Sequence, residues 1–497
     1  MQPSSREVDP ISPRRRVSKV LSYENTSANY CFKAIFDEFV YNQLPRHLLH
    51  LKTVGNSLED LEVEVISASQ LASLFESELG AILRLNENPS MPKREIIDKL
   101  GNLLKFAIFS HRWFQEGEPS FRAIDSRRPF TRGHHKLISF CAKAAQFGCK
   151  LAWSDTCCID KSSSAELDEA IRSMFRWYRL AHVCIVHLSD ATSISFDELE
   201  RDVWFTRGWT LQELLAPKRM KFYGADWQAL TDQENDKNHD GLMESVSKIT
   251  NIPIRDLRHF QPGTNRIREK MSWASKRITT RTEDIAYSLI GIFDVNLPIA
   301  YGEGTWAFHR LMEVIIHRCD EWGIFAWAGS PSTHHSRTNS IPQSPECYHL
   351  IDVNRFPSEL ERVHGDTSFT LSRQGLFLIV MMAIGDLERK VDAQDEEHYE
   401  FTVKPSHAGP TFTTIHVQSS AGIDVEGYEW AIGILNYRAV EPKGRYGKLE
   451  GDRSYVAFLL RHRGIQEAWT REPTDNILIV DTLFDSESRE PLCGLWL

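Results

Sequence analysis

The chain has 497 residues, enough for two or three domains. Apolar residues make up 41% and charged residues 25%, ordinary globular values that exclude a fibrous or wholly disordered chain. The net charge of -10 argues against a general nucleic-acid binder, and no run of 18 uninterrupted apolar residues is present to span a membrane.

Residues 1–30 begin "MQPSSREVDPISPRRRVSKV". The Pro, Ser and Arg content predicts a disordered arm, and the lack of an apolar stretch predicts no signal peptide. The Arg14–Arg16 run is a weak nuclear signal weighed against a solvated tail. Nine cysteines at irregular spacing predict reduced thiols, hence a cytoplasmic setting with a nuclear one as the alternative. Residues 31–103 read as helical: "SASQLASLFESELGAILRL" has apolar residues at helical spacing, and "PSMPKREIIDKLGNLL" starts a helix behind a proline.

Residues 104–230 alternate strand and helix. Strands are expected near 106–109, 151–154, 183–188 and 220–223. The intervening helices are "HKLISFCAKAAQFG", stopped near Gly148, and "SSAELDEAIRSMFRWYRLA", capped by Ser163 or Ser164. A short helix follows in "DVWFTRGWTLQELLAP", closed by Pro217. This rhythm predicts a parallel, doubly wound sheet, whose reactive groups gather at the C-terminal strand ends. The first end delivers Ser110, His111, Arg112 and Trp113; the second Asp155, Cys157, Cys158 and Asp160; the third Ser189 and Asp190. Trp209 and Glu213, four residues apart, share a helix face and are expected at the same crevice. Trp153, Trp177 and Trp204 read as core.

Residues 231–329 read as a helical extension and 330–345 as an exposed Ser- and Pro-rich linker. Residues 346–497 read as a β-rich domain, with a sandwich as the expected form.

Neither GxGxxG after a strand nor a P-loop is present, and HExxH and paired CxxC are absent, so no metal and no bound cofactor are expected. Cys157 or Cys158 with His111 as base would make a cysteine hydrolase, but two small residues packing at a strand end is the preferred reading. The acidic "SSAELDEA" run reads as a solvated first turn. Glu213 is either a solvated glutamate or a carboxylate that stabilises an oxocarbenium-like sugar.

Three blocks resemble the fungal heterokaryon-incompatibility (HET) domain: "FAIFSHRWFQEGEPSF", "KLAWSDTCCIDKSSSAELDEAIRSMFRWYRLAHVCIVHLSD" and "WFTRGWTLQELLAP". The segment "RITTRTEDIAYSLIGIFDVNLPIAYGEGTWAFHRLMEVII" resembles what commonly follows that domain. The common Trp-Gly pair of the first block is Trp113-Phe114 here. A second, weaker likeness is to Toll/interleukin-receptor (TIR) domains, through "SDTCCID", "IVHLS" and Trp209-Thr210-Leu211-Gln212-Glu213-Leu214. The two likenesses together imply a flavodoxin-like α/β fold with TIR-like topology, and a role in nonself recognition and regulated cell death. They further imply that Glu213 is catalytic in NAD⁺ cleavage. Ser110, His111, Trp113, Asp155, Asp160, Ser189 and Trp209 would contact the substrate, and NAD⁺ would be consumed, not held as a cofactor. The alternative is a non-enzymatic module that assembles as a homo-oligomer. The protein trigger upstream is unnamed by the sequence.

Overall fold

A computed structural model of the chain describes residues 27–53, 61–86, 92–114, 117–121, 131–334, 339–349, 369–372, 375–391, 397–404, 414–435, 438–439, 446–449, 453–464, 469–482 and 490–496. Residues 1–26 of the expected arm, Arg14–Arg16 included, lie outside these. The chain divides into two compact units, Met1–Asp202 with Ala216–Ser245, and Val203–Leu215 with Val246–Leu497.

The first unit opens with helix α1 (Ser27–Gln43), strands β1 (His47–Thr53) and β2 (Leu61–Ser67), and helices α2 (Leu71–Leu74), α3 (Glu76–Asn86) and α4 (Lys93–Leu103). The alternating part follows: β3 (Phe106–His111), α5 (Arg132–Gln146), β4 (Leu151–Trp153), α6 (Ser164–Leu180), β5 (Val183–His187) and α7 (Phe196–Arg201). After the excursion of α8 (Thr210–Leu215) into the second unit, β6 (Met220–Tyr223) completes the sheet. The sheet order is β2-β1-β4-β3-β5-β6. The four expected strands form its parallel part, with β3 paired to both β4 and β5, and β5 to β6. In chain order they lie second, first, third, fourth. All six residues of β3 and all five of β5 are buried, as sheet strands covered on both faces require.

The expectation of a helical 31–103 needs correction. Helices α1, α3 and α4 are there, but β1 and β2 form an antiparallel hairpin between them, and β1 joins the edge of β4 through Leu49 and His50. The physical reason is local. "LEVEVIS" alternates apolar and charged residues with a period of two, and β1 buries Leu48, Leu49 and Leu51 while occupying the open edge of β4.

Helix termini follow their sequence signals. Ser163 caps α6 by accepting the Glu166 N–H at 3.3 Å. The buried face of α6 runs Ala170, Ile171, Met174, Trp177 and Tyr178, at helical spacing. Gly148 stands just past α5 with φ 67°, the left-handed stop expected there. Trp153, Trp177 and Trp204 are all buried, as expected.

The second unit contains α8, the helices α10 (Ile254–His259), α11 (Ile267–Ala274), α12 (Asp284–Tyr287), α13 (Ile290–Phe293) and α14 (Trp306–Ile316), and an antiparallel sheet. The unit boundary falls within α9 (Asp240–Thr250). The sheet strands are β7 (Thr370–Ser372), β8 (Gly375–Val391), β9 (Glu397–Val403), β10 (Thr414–Val417), β11 (Glu429–Ile434), β12 (Arg438–Ala439), β13 (Tyr446–Lys448), β14 (Arg453–His462), β15 (Thr470–Arg471), β16 (Leu478–Thr482) and β17 (Glu490–Trp496). Among the described residues of 346–497 the β-rich expectation is met. Its strands connect into one network, because the long β8 pairs with β7, β9, β11 and β17. Tyr399, Phe401, Val417, Trp430 and Ile432 lie in its core.

The exposed linker expected over 330–345 also needs correction where it is described. The Ser332 N–H donates to the Ile341 carbonyl at 2.7 Å, and the Gln343 N–H to the Ser330 carbonyl at 3.0 Å. Ile341 is buried. Backbone donors find partners within the segment, and an isoleucine anchors it, so composition alone misleads here. Residues 335–338 lie outside the described part.

Candidate functional site

In the first unit, parallel pairing sets His111 directly beside His187 at the C-terminal ends of β3 and β5. Both are buried, as is Ser110. The His111 ring stacks on Phe109 at 4.0 Å, and Phe109 stacks on Phe140 of α5 at 4.3 Å. The turn after β6 adds Trp227, which stacks on His187. Trp227 holds φ 61°, a left-handed conformation uncommon for a bulky residue. Bonds from the Trp227 N–H to the Gly224 carbonyl (2.9 Å) and from the Gly224 N–H to the Gln228 carbonyl (3.0 Å) close that turn. Burial, with the Lys136 cation nearby, lowers the His187 pKa to about 4 against the opposing effect of a bond to the Ala225 backbone. The imidazole is therefore neutral at pH 7, and its Nε2 is buried without a hydrogen-bond partner among the described residues.

Lys136 projects from α5 into the same end of the unit. Its Nζ donates to the Arg112 carbonyl at 2.9 Å, pairs with the Glu118 carboxylate and lies 3.8 Å above the Phe114 ring. Burial lowers its pKa and Glu118 opposes that shift. Phe114, at the position where the resemblance has glycine, is not among the residues with positive φ. Its N–H donates to Glu118 Oε1 at 2.7 Å, and Gly117, with φ 83°, makes the turn three residues later.

The β3 and β4 loops meet through Trp113 and Asp155. The indole Nε1 donates to Asp155 Oδ2 at 3.0 Å, while Lys161 Nζ sits 3.8 Å over the ring. Asp160 shapes its own loop: its Oδ1 accepts from the Ser162 N–H at 3.0 Å, and its N–H donates to Glu166 Oε1 at 2.9 Å. Glu166 also contacts His47 Nδ1 at 2.9 Å and is buried, so this part of the acidic run is not solvated. The Ser189 hydroxyl is buried without a partner among the described residues. Asp190 faces Arg112 at 3.6 Å.

Cys157 and Cys158 are buried, and burial with the adjacent Cys157 pushes the Cys158 thiol well above its ordinary value. A nucleophilic thiolate needs the reverse shift. The packing reading of this pair is the one its surroundings fit.

Trp209 and Glu213 belong to the second unit, whereas the other expected site residues belong to the first. All six residues of α8 are buried, Glu213 among them at 5% exposure. Trp209 Nε1 donates to Asp284 Oδ2 at 3.2 Å, and the Tyr301 hydroxyl donates to Asp284 Oδ1 at 2.9 Å. Arg277 Nη1 donates to the Arg207 carbonyl and to Thr210 Oγ1, each at 2.9 Å. Burial lowers the Arg277 pKa to about 9, and the Glu213 carboxylate opposes that shift. Nη2 of Arg277 is buried without a hydrogen-bond partner among the described residues.

Sequence reasoning missed Lys136, His187, Trp227 and Arg277. His187 was readable as the last residue of an apolar strand; the other three act through contacts distant in sequence.

The family described as heterokaryon incompatibility protein (HET) matches residues 106–201. Over that stretch the chain is similar to the HET domain. The matched residues hold every expected site residue of the first unit, and the match ends before Trp209 and Glu213. The chain is also similar to "Vegetative incompatibility protein HET-E-1" of Podospora anserina, at 41% identity over 227 residues. That alignment covers 43% of this chain and only 16% of the relative's length. No solved structure matches the chain. No helix among the described residues is long and apolar enough to cross a membrane.

Proposed function

We propose that the chain acts in fungal nonself recognition, the process named by vegetative incompatibility, and that it promotes regulated cell death by TIR-like cleavage of NAD⁺. The HET domain and the 41% identity to a vegetative incompatibility protein support the biological role. The parallel strand order of second, first, third, fourth supports a flavodoxin-like sheet, whose ligands bind beyond the C-terminal strand ends.

The observation that carries the chemistry is Glu213, a buried carboxylate close to the partly unsatisfied guanidinium of Arg277. Charges act strongly where water is excluded. In the reaction the bond between nicotinamide nitrogen and ribose C1 breaks, and its electron pair leaves with neutral nicotinamide. Glu213 stabilises the positive charge that develops on the ribose. Water adds to C1, yielding ADP-ribose and a proton. The sequence likeness, not the arrangement of the two units, nominates Ser110, His111, Trp113, Asp155, Asp160 and Ser189 of the first unit and Trp209 of the second as substrate contacts. Trp113 is suited to this by its part-exposed indole, and Asp160 by the loop it holds. NAD⁺ is the substrate, and no resident cofactor is required.

A second reading is favoured by one observation. The complete burial of α8, with Glu213 near Arg277, equally suits a carboxylate kept for folding. The HET domain would then signal by self-assembly, with the β-rich region receiving the protein trigger. Nicotinamide release from NAD⁺, measured at several protein concentrations beside the oligomeric state, separates the two. Release supports the enzyme; assembly without release supports the module.

A further inference from the structure

The solvent-facing side of the β9–β10 hairpin carries a group of donors that the proposed function does not use. The two strands pair antiparallel, with Glu400 opposite His416 and Tyr399 opposite Val417. Alternation sends Tyr399 and Val417 into the core and leaves His398, Glu400 and His416 together on the other face. Glu400 Oε1 lies 3.6 Å from His416 Nδ1 and 3.9 Å from His398 Nε2. One donor atom from each of the three residues falls within 4.8 Å of the others.

We propose that His398, Glu400 and His416 bind one divalent cation of the zinc class. Four-coordinate zinc at bond lengths of about 2.0–2.1 Å sets neighbouring donors roughly 3.4 Å apart. Small side-chain rotations bring the observed separations to that value. Two imidazoles with one carboxylate favour borderline first-row cations over magnesium or calcium, which prefer all-oxygen shells. Two imidazoles directed at one carboxylate oxygen present ligand types that suit such a cation. Three protein ligands leave the fourth position to solvent. On β8, Glu388 stands in register with Glu400 and pairs with Lys390 at 2.6 Å, which offsets the Lys390 charge. A bound ion would tie β10 more firmly to β9, its strand partner.

The test uses the full chain, stripped with a chelator and titrated with zinc against a chromophoric competitor at pH 7.5. The wild type should bind one more equivalent than the His398→Ala/His416→Ala double variant. Glu400→Gln should weaken that equivalent at least about tenfold. Circular dichroism of each variant must match the wild type. Zinc should raise the melting temperature of the wild type and not of the double variant. Equal stoichiometry and affinity in wild type and double variant would overturn the proposal, as would displacement of zinc by an equal concentration of magnesium.

Discussion

The indole of Trp227 stacks on the imidazole of His187, with ring centroids 4.5 Å apart and planes 27° apart. This pairing keeps a buried, neutral histidine at the C-terminal end of the parallel sheet. The folded-state pKa of about 4 lies below the value of about 6.5 expected unfolded. A depressed pKa contributes stability that is fully present above pH about 6.5 and is lost as pH falls toward 4. The loss should reach on the order of 3 kcal/mol, at 1.36 kcal/mol per pKa unit. Urea unfolding across this window should show a shallower pH dependence for His187→Leu than for the wild type.

Gly133 tests the seating of the loop that carries Glu118. A Cβ at this position would lie 2.2 Å from the Gly117 carbonyl oxygen and 2.8 Å from Glu118 Cα. Both obstacles are backbone, so the loop must move. Gly133→Ala should destabilise the first unit by about 1–3 kcal/mol, read by denaturant midpoint.

The cysteine pair should be chemically quiet. Native protein treated with iodoacetamide at pH 7.5 should leave Cys157 and Cys158 unlabelled until denaturant is added, since both are buried. Peptide mapping checks this, and rapid native labelling of either thiol would revive the hydrolase reading.

Ile341 reports on the segment expected to be a linker. It is buried, and its carbonyl accepts from Ser332. Ile341→Ala should cost about 2–5 kcal/mol, as large-to-small core changes do. A solvated linker residue would change stability by no more than about 0.5 kcal/mol.

The parallel sheet was legible because its strands are short apolar runs separated by capped amphipathic helices. Strand β1 was not, because "HLLHLKT" has no strict period and lies among helical segments. At the site, Ser110, His111, Trp113, Asp155, Asp160 and Ser189 could be placed at strand ends from position alone. Lys136 could not, because its role comes from burial against Arg112, Phe114 and Glu118, none of which its helical spacing reveals. Arg277 lies 64 positions beyond Glu213 along the chain, and only the fold of the second unit joins their charges. His398, Glu400 and His416 escape any linear motif because one member comes from a neighbouring strand.

The most direct measurement is nicotinamide release from NAD⁺ by wild type, Glu213→Gln and Glu213→Gln/Arg277→Met. Removing the carboxylate alone leaves the Arg277 charge buried without its compensating partner, so Glu213→Gln should lose stability as well as activity. The double variant removes both charges and should recover much of that stability. If Glu213 stabilises the developing cation, both variants should lose on the order of 10²–10³ in rate under conditions where they are folded. Wild-type cleavage retained in a folded double variant would contradict the account, and so would a wild type that releases no nicotinamide at any protein concentration.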